Sequence, residues 1–245
     1  MLLRGSAAFG GLLLGGCDRL SRSPTFGQVL DGGEHLTYRA QRLIIGHSLA
    51  REFGESDLSP VFRSNGTANP NNDAYNRLRA DNFADWRLMV GGLVQRPLAL
   101  ALAELRALPA RVQITRHDCV EGWSAIGKWT GVPLGLVLNM AQLLPEARFV
   151  VLYCADELER NDGGYYESID LVDAFHPQTL LAYDLNDRAL PLANGAPLRL
   201  RVERQLGYKQ AKYLMRIAVV ASLTGIGRGR GGYWEDRGYE WYAGI

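Results

Sequence analysis

The chain has 245 residues, 47% hydrophobic and 22% charged, with a formal net charge of +1. This is a globular composition, long enough to bury a core without staples, and the near-zero charge removes the usual ground for a nucleic-acid or acidic-membrane partner. Basic residues number 27 and are almost all Arg, the lysines being Lys128, Lys209 and Lys212.

Residues 7–16 form a short Gly-, Ala- and Leu-rich apolar stretch, too short to span a bilayer, ending in Leu14-Gly15-Gly16-Cys17. This ending resembles a bacterial lipobox, whose Cys is lipidated. Residues 1–17 therefore read as a signal peptide with lipobox, with membrane association through a lipid on Cys17. The alternative is a cleaved signal with a chance Cys. Only Arg4 precedes the stretch, with no twin-arginine pair, so the expected start lies upstream. Residues 18–59 read as a tether and N-terminal arm, with one apolar stretch at Leu43-Ile44-Ile45. Residues 60–82 are rich in Asn and Pro and read as a long irregular segment of the kind that often carries function.

Strands are expected at 86–90, at the start of 98–108 (then a helix stopped by Pro109), and at 112–117, where residues alternate. A helix is expected over 133–144 with Pro133 in its first position, then a buried strand at 149–154 and a brief helix at 171–175. Further strands follow at 180–185, 198–202 and 213–223. The order implies a mixed, strand-rich α+β fold with short helices.

The most informative run is Arg116-His117-Asp118-Cys119-Val120-Glu121-Gly122-Trp123-Ser124, followed by Trp129-Thr130-Gly131-Val132-Pro133-Leu134. A Cys at a strand end beside a His and two carboxylates reads as a thiolate offered to a metal. His117 and Arg116 would lower its pKa, and Asp118 and Glu121 would raise it. A small buried hydrophobe is the alternative, as is a disulfide to Cys154. Glu121 lies two residues on, which puts both side chains on one face of an extended segment; a salt bridge to Arg116 is its bland reading. The run resembles the cysteine segment of the sulfite oxidase superfamily, close to the catalytic subunit of the periplasmic methionine-sulfoxide reductase system. The resemblance implies a molybdopterin-binding fold over residues 60–224, a molybdenum-molybdopterin cofactor with Cys119 as metal ligand, and Glu121 as an acid or base in the substrate cavity. Sulfite oxidases follow the Cys with basic residues that hold an oxyanion. A carboxylate here points to a neutral or cationic substrate.

A second constellation, Asn194-Gly195-Ala196-Pro197-Leu198-Arg199 and Gly207-Tyr208-Lys209-Gln210-Ala211-Lys212, resembles the family's pterin-phosphate segment. The resemblance gives Asn194, Arg199, Gln210, Ala211 and Lys212 to the cofactor, and loosely Asn65 and Gly66 to the pterin. An Arg fork, a Lys charge and nearby amides suit a phosphate, whereas Asn194-Gly195 alone is a hairpin turn. Lys128, Trp123 and Tyr165-Tyr166-Glu167 are weaker candidates for the pocket wall.

Residues 225–245 form a Gly- and aromatic-rich tail expected to pack on the domain through Tyr233-Trp234 and Tyr239-Glu240-Trp241-Tyr242. Gly227-Arg228-Gly229-Arg230-Gly231-Gly232 superficially resembles a nucleic-acid segment; a flap or a docking surface for a redox partner is the favoured reading. The expected activity is oxygen-atom transfer in the periplasm, after export by the twin-arginine route. The direction favoured is reduction of an S- or N-oxide, on a small molecule or a protein. With no Cys-x-x-Cys-His haem motif, electrons would come from a membrane-bound cytochrome b. The alternatives are an oxidase or dehydrogenase of a small substrate, and a non-catalytic binding lipoprotein.

Overall fold

The computed structural model describes residues 33, 36–43, 48–70, 72–158 and 163–245. The lipobox, Cys17 and the Ile44-Ile45 pair lie outside them. The chain divides into Met1–Ser48, of which residues 36–43 are helical, and a compact unit, Leu49–Ile245. Among the described residues no helix is long and apolar enough to cross a membrane.

Two five-stranded sheets build the compact unit. The first has the order β2 (Leu98–Ala101), β1 (Arg87–Gly92), β10 (Leu214–Val220), β5 (Phe149–Cys154), β6 (Tyr166–Asp170). Its β1 and β10 run parallel, Met89 opposite Arg216, and its other pairs antiparallel. The second joins β3 (Arg111–Cys119), β4 (Trp123–Pro133), β7 (Leu180–Leu185) and β8 (Arg188–Ala189), with β9 (Arg199–Arg201) also on β7. Leu88, Val150, Leu152 and Ile217 of the first sheet pack against Leu134 and Leu138 of a helix and against Leu198 and Leu200 near β9. Burying such side chains, at about 1.5–3 kcal/mol each, is what orders the strands.

Several expectations need correction. Residues 60–82 are not wholly irregular: helix α1, Asp73–Ala80, starts where the Asn72 side chain accepts from the Tyr75 N–H at 2.9 Å. Strands β4 and β6 were not expected. The helix at 133–144 is α3, Leu134–Ala141, with Pro133 as its cap rather than its first residue; it stops where Gln142 turns left-handed at φ 58°. Helices α2 (Leu102–Ala107) and α4 (Leu171–Ala174), with the strands at 149–154 and 180–185, lie where the pattern placed them.

Strand β3 alternates with the opposite sense to a simple amphipathic strand. Val112 is exposed, while Gln113, Thr115, His117 and Cys119 point inward. They face a second, polar core. Arg201 forks onto Glu203 (2.5 Å) and donates to His117 Nδ1 (3.0 Å), and Gln113 donates to Glu203 at 2.8 Å. The Trp129 ring lies under the guanidinium groups of Arg199 (5.1 Å) and Arg201 (4.3 Å). Buried charges persist only when paired and hydrogen-bonded, and here they set a polar floor beneath one end of the molecule.

Candidate active site

Above that floor lies a cleft of about 200 Å³, open to solvent on one side. Four segments converge on it: the end of β3 with its turn, the 65–67 loop, the 207–212 segment, and the chain leaving β5. The tail closes one side with Trp234 and Tyr239.

Cys119 is the last residue of β3, a free thiol 8% exposed in the cleft. The chain then turns through Val120-Glu121-Gly122 into β4, with Gly122 at φ 84° donating its N–H to the Cys119 carbonyl at 3.0 Å. A positive φ favours Gly at that position. Glu121 therefore sits in a hairpin turn and not on an extended segment, yet the turn brings it to the same cleft. It accepts from Trp123 Nε1 at 2.9 Å, and Arg116 pairs with Asp118 instead.

The neighbours expected to activate the thiol do not. His117 is fully buried and its pKa falls well below the ordinary imidazole value, first through desolvation and then through Arg201 and Arg199. The ring is neutral, and with Nδ1 accepting from Arg201 its proton is on Nε2. Burial pushes the Cys119 pKa up; the Glu121 charge raises it too, while the Glu121 backbone N–H and Arg63 pull it down.

Asn65 and Gly66 line the cleft, as do Gln210, Ala211 and Lys212. Lys212 holds these segments together. Its ammonium donates to the carbonyls of Asn65 (2.6 Å), Ala193 (3.0 Å) and Thr67. Burial, then the Arg199 charge, depresses its pKa to about 7. Asn194 and Arg199 lie behind the cleft wall. Arg199 is fully buried and donates to the carbonyls of Asn194 (3.0 Å) and Gln210 (3.2 Å); burial and Arg201 lower its pKa to about 9.

Lys128 is turned away, paired with Glu55 (2.8 Å) and Asp187 (2.9 Å). Cys154 is also free, at the end of β5, so no disulfide joins it to Cys119. Lys209 sits between Glu167 and Glu235, each at 2.5 Å, all three buried, which ties the tail to β6. The two Arg-Gly repeats wrap Asp236, whose carboxylate accepts from the N–H groups of Arg228 (2.7 Å) and Arg230 (3.0 Å). Arg237 lies over the Tyr233 ring at 3.6 Å and does not line the cleft.

Sequence reasoning missed Thr67, Asp156, Gly207 and the tail's Trp234 and Tyr239 as cleft residues. Asp156 is 4% exposed, and burial raises its carboxyl to about 6 against the pull of Lys212. Gly207 had a physical signal only in three dimensions: a Cβ there would meet His117 Nε2 at 2.5 Å.

The Oxidoreductase molybdopterin binding domain model matches residues 75–224. The chain belongs to that family. It is 41% identical over 196 residues to a putative protein-methionine-sulfoxide reductase subunit YedZ1 of Azospira oryzae, covering 78% of this chain and 70% of that one. It is 37% identical over 150 residues to the protein-methionine-sulfoxide reductase catalytic subunit MsrP of Xanthomonas axonopodis pv. citri, covering 58% of this chain and 47% of MsrP. The Campylobacter jejuni MsrP is 32% identical, with 56% and 49% covered. The chain thus spans about half the length of these MsrP relatives. Among solved structures, the sulfane dehydrogenase SoxCD of Paracoccus pantotrophus superposes with a TM-score of 0.52 at 24% identity, over 57% of this chain and 39% of that one. This likeness supports the sulfite oxidase-like fold.

The protein is a molybdopterin-dependent oxidoreductase, and its cleft fits the cofactor. A thiol, a soft ligand once deprotonated, opens onto the cleft. Two cations lie in and behind one wall, and the buried Asp156 Oδ1 atom has no partner within the protein. A ligand that carries both an anionic group and N–H donors suits these groups.

Proposed function

We propose that this oxidoreductase transfers an oxygen atom by reducing an S- or N-oxide, most simply a sulfoxide: R₂S=O plus two protons and two electrons gives R₂S and water. The observation that carries this reading is the pairing of the Cys119 thiol with the Glu121 carboxylate in one cleft, with Val120, Glu121 and Gly122, rather than basic residues, in the turn after the thiol. A carboxylate there repels an oxyanion substrate and accepts a neutral oxide.

Molybdopterin supplies the two-electron oxygen-transfer chemistry when bound. Cys119 is its protein ligand to molybdenum. The Asn65-Gly66 loop and Gln210-Ala211-Lys212 form the walls that hold the pterin and its phosphate, and Asn194 and Arg199 brace them from behind. An ammonium has three N–H bonds. Lys212 spends them on carbonyls, so its charge acts on the phosphate through space. Glu121 moves a proton to the departing oxygen, with the Trp123 indole N–H holding one carboxylate oxygen in place. Both relatives' names refer to methionine sulfoxide reduction, which supports a sulfoxide carried on a small molecule or a protein. The electrons come from a membrane-bound cytochrome b partner, and the protein works in the periplasm, exported by the twin-arginine route and anchored through Cys17.

The test is turnover by protein purified from a host that makes molybdopterin, with a reduced viologen dye as donor. Oxidation of the dye with a dialkyl sulfoxide, lost in Glu121→Gln at least 10-fold in kcat, supports the proposal. Loaded protein that oxidises no dye with any sulfoxide or N-oxide, yet passes electrons from a small substrate to an acceptor dye, overturns it.

A further inference from the structure

The cluster that ties the tail to β6 holds more acid than its cation neutralises. Lys209 stands between Glu167 of β6 and Glu235 of the tail, and all three side chains are at most 1% exposed. The Oε1 atom of each carboxyl accepts from the ammonium, and Glu167 Oε1 also accepts from the Ser168 N–H at 2.8 Å. The two Oε2 atoms are buried with no donor to accept from, and the carboxyls lie within hydrogen-bond reach of each other. Gly232 closes the space over them: a Cβ there would lie 2.7 Å from Glu167 Oε1 and closer still to Glu235 Oε2.

With both carboxyls ionised, the cluster would carry one net negative charge out of reach of water. An uncompensated buried charge is strongly destabilising, and of two carboxyls in one site one keeps its proton. The titratable groups that face the pair from neighbouring elements are, besides Lys209, Tyr165 at the head of β6, Tyr208 next to Lys209, and Cys154 at the end of β5. Burial keeps these phenols and the thiol protonated, so they are neutral. Burial also raises the Glu167 carboxyl well above the ordinary carboxylate range, against the pull of Lys209 and with the push of Glu235. One proton on Glu167, donated to Glu235, makes the cluster neutral and gives both stranded oxygens a partner.

We propose that Glu167 and Glu235 share a single proton and that this proton latches the tail across the cleft, which makes the pair positioning residues for the wall formed by Trp234 and Tyr239. Trp234 directly precedes Glu235 in the chain. Just before it, the Tyr233 N–H donates to the Tyr166 carbonyl at 3.0 Å and Ser168 Oγ donates to the Gly231 carbonyl at 2.5 Å, so this stretch lies fixed along β6. A tail that opens into water returns Glu167 to its ordinary pKa of 4.5. The closed state therefore holds one more proton than the open one at any pH between 4.5 and the raised value. The latch is strongest below pH 4.5 and weakens as pH rises, opening gaining about tenfold per pH unit until the closed pair itself loses the proton. This holds whichever substrate the cleft takes.

The experiment treats the full chain, purified from a molybdopterin-making host, with dilute chymotrypsin between pH 6 and pH 8. Cleavage after the buried Tyr233 is followed by mass spectrometry and divided by the rate for a free peptide of residues 225–245 at the same pH. The expected result for the parent is a ratio that rises about 10-fold or more across that range. Glu235→Gln and Glu167→Gln each put a fixed NH₂ donor where the shared proton lies and leave one carboxylate for Lys209. Each is expected to hold the tail with a ratio that changes less than about 2-fold, because no proton is then linked to opening. The two substitutions are independent, so either one that folds decides. A parent ratio that stays level from pH 6 to pH 8 overturns the proposal, and so does a folded Gln variant that keeps the parent's rise.

Discussion

Two side chains set the chemistry of the cleft, and each makes a separate prediction. Cys119 is raised in pKa by burial and lacks a cationic neighbour in His117, so its thiol stays protonated until a metal takes the proton's place. Cys119→Ser is expected to fold and to lose at least 10-fold in molybdenum content, measured per chain by elemental mass spectrometry; parental molybdenum in that variant contradicts a ligand role. Asp156 makes a prediction about pH. Its folded pKa, about 6, lies above the ordinary 3.8, so the folded state holds the proton more tightly than the unfolded one. Stability is greatest below pH 4 with respect to this group and falls as pH rises through 6. A shift of that size corresponds to about 3 kcal/mol at most. Denaturant unfolding of empty Asp156→Asn should show a gain of up to that size at pH 8, shrinking to nothing at pH 4; equal curves for variant and parent at pH 8 would contradict it.

These residues differ in how far the sequence discloses them. Cys119, Glu121, Gln210 and Lys212 stand in runs that resemble the family's cysteine and pterin-phosphate segments, and the resemblance is what disclosed them. Asp156 is a single acid after a strand, and nothing local separates it from a solvated one. Its isolation from water is a product of Thr67, Tyr165 and the tail meeting around the cleft. Arg199 was legible as a cation near the cofactor but not as a buttress, because its partners are backbone carbonyls.

At the scale of elements, apolar strands such as β5 and β7 were readable from composition. Strand β4 was not: Trp123-Ser124-Ala125-Ile126-Gly127-Lys128 has polar residues and Gly where a strand usually has β-branched ones. Its Gly131 is explained by sheet packing, since a Cβ there would lie 2.7 Å from Ala182 Cα. Helix α1 was hidden in an Asn-rich segment because it buries one side chain, Tyr75. Strand β3 was found, and the structure shows its inner face to be polar, since Gln113 and His117 serve the Arg201–Glu203 core. The tail's hold on the site is electrostatic as well as aromatic. Lys209→Met leaves Glu167 and Glu235 buried without their cation, and losing one partner of a buried pair costs about 3–5 kcal/mol. Limited proteolysis should then cut residues 225–245 faster in the variant than in the parent. Equal cutting rates would show that Tyr233, Trp234 and Tyr239 hold the tail unaided.

The whole molecule combines a hydrophobic core between the strands of the first sheet and its covering helix with a polar core beneath the cleft. The first gives stability. The second is the arrangement that a ligand with anionic and N–H-donating parts requires, and it explains why so many buried side chains near the site are charged. Gly207 packs against His117 of the polar core. Gly207→Ala would push a methyl into the neutral His117 ring, and the expected consequence is an altered 207–212 wall with reduced pterin retention on dialysis; retention equal to the parent's would show that the His117 side moves to admit the methyl.

The most direct test of the whole account is the molybdenum and pterin content of the protein purified from a molybdopterin-making host. The account predicts about one of each per chain, with both lost together in Cys119→Ser or on mild unfolding. Folded protein that carries neither would contradict it, leaving a chain with the family's fold and cleft but without the chemistry that the cleft is arranged to hold.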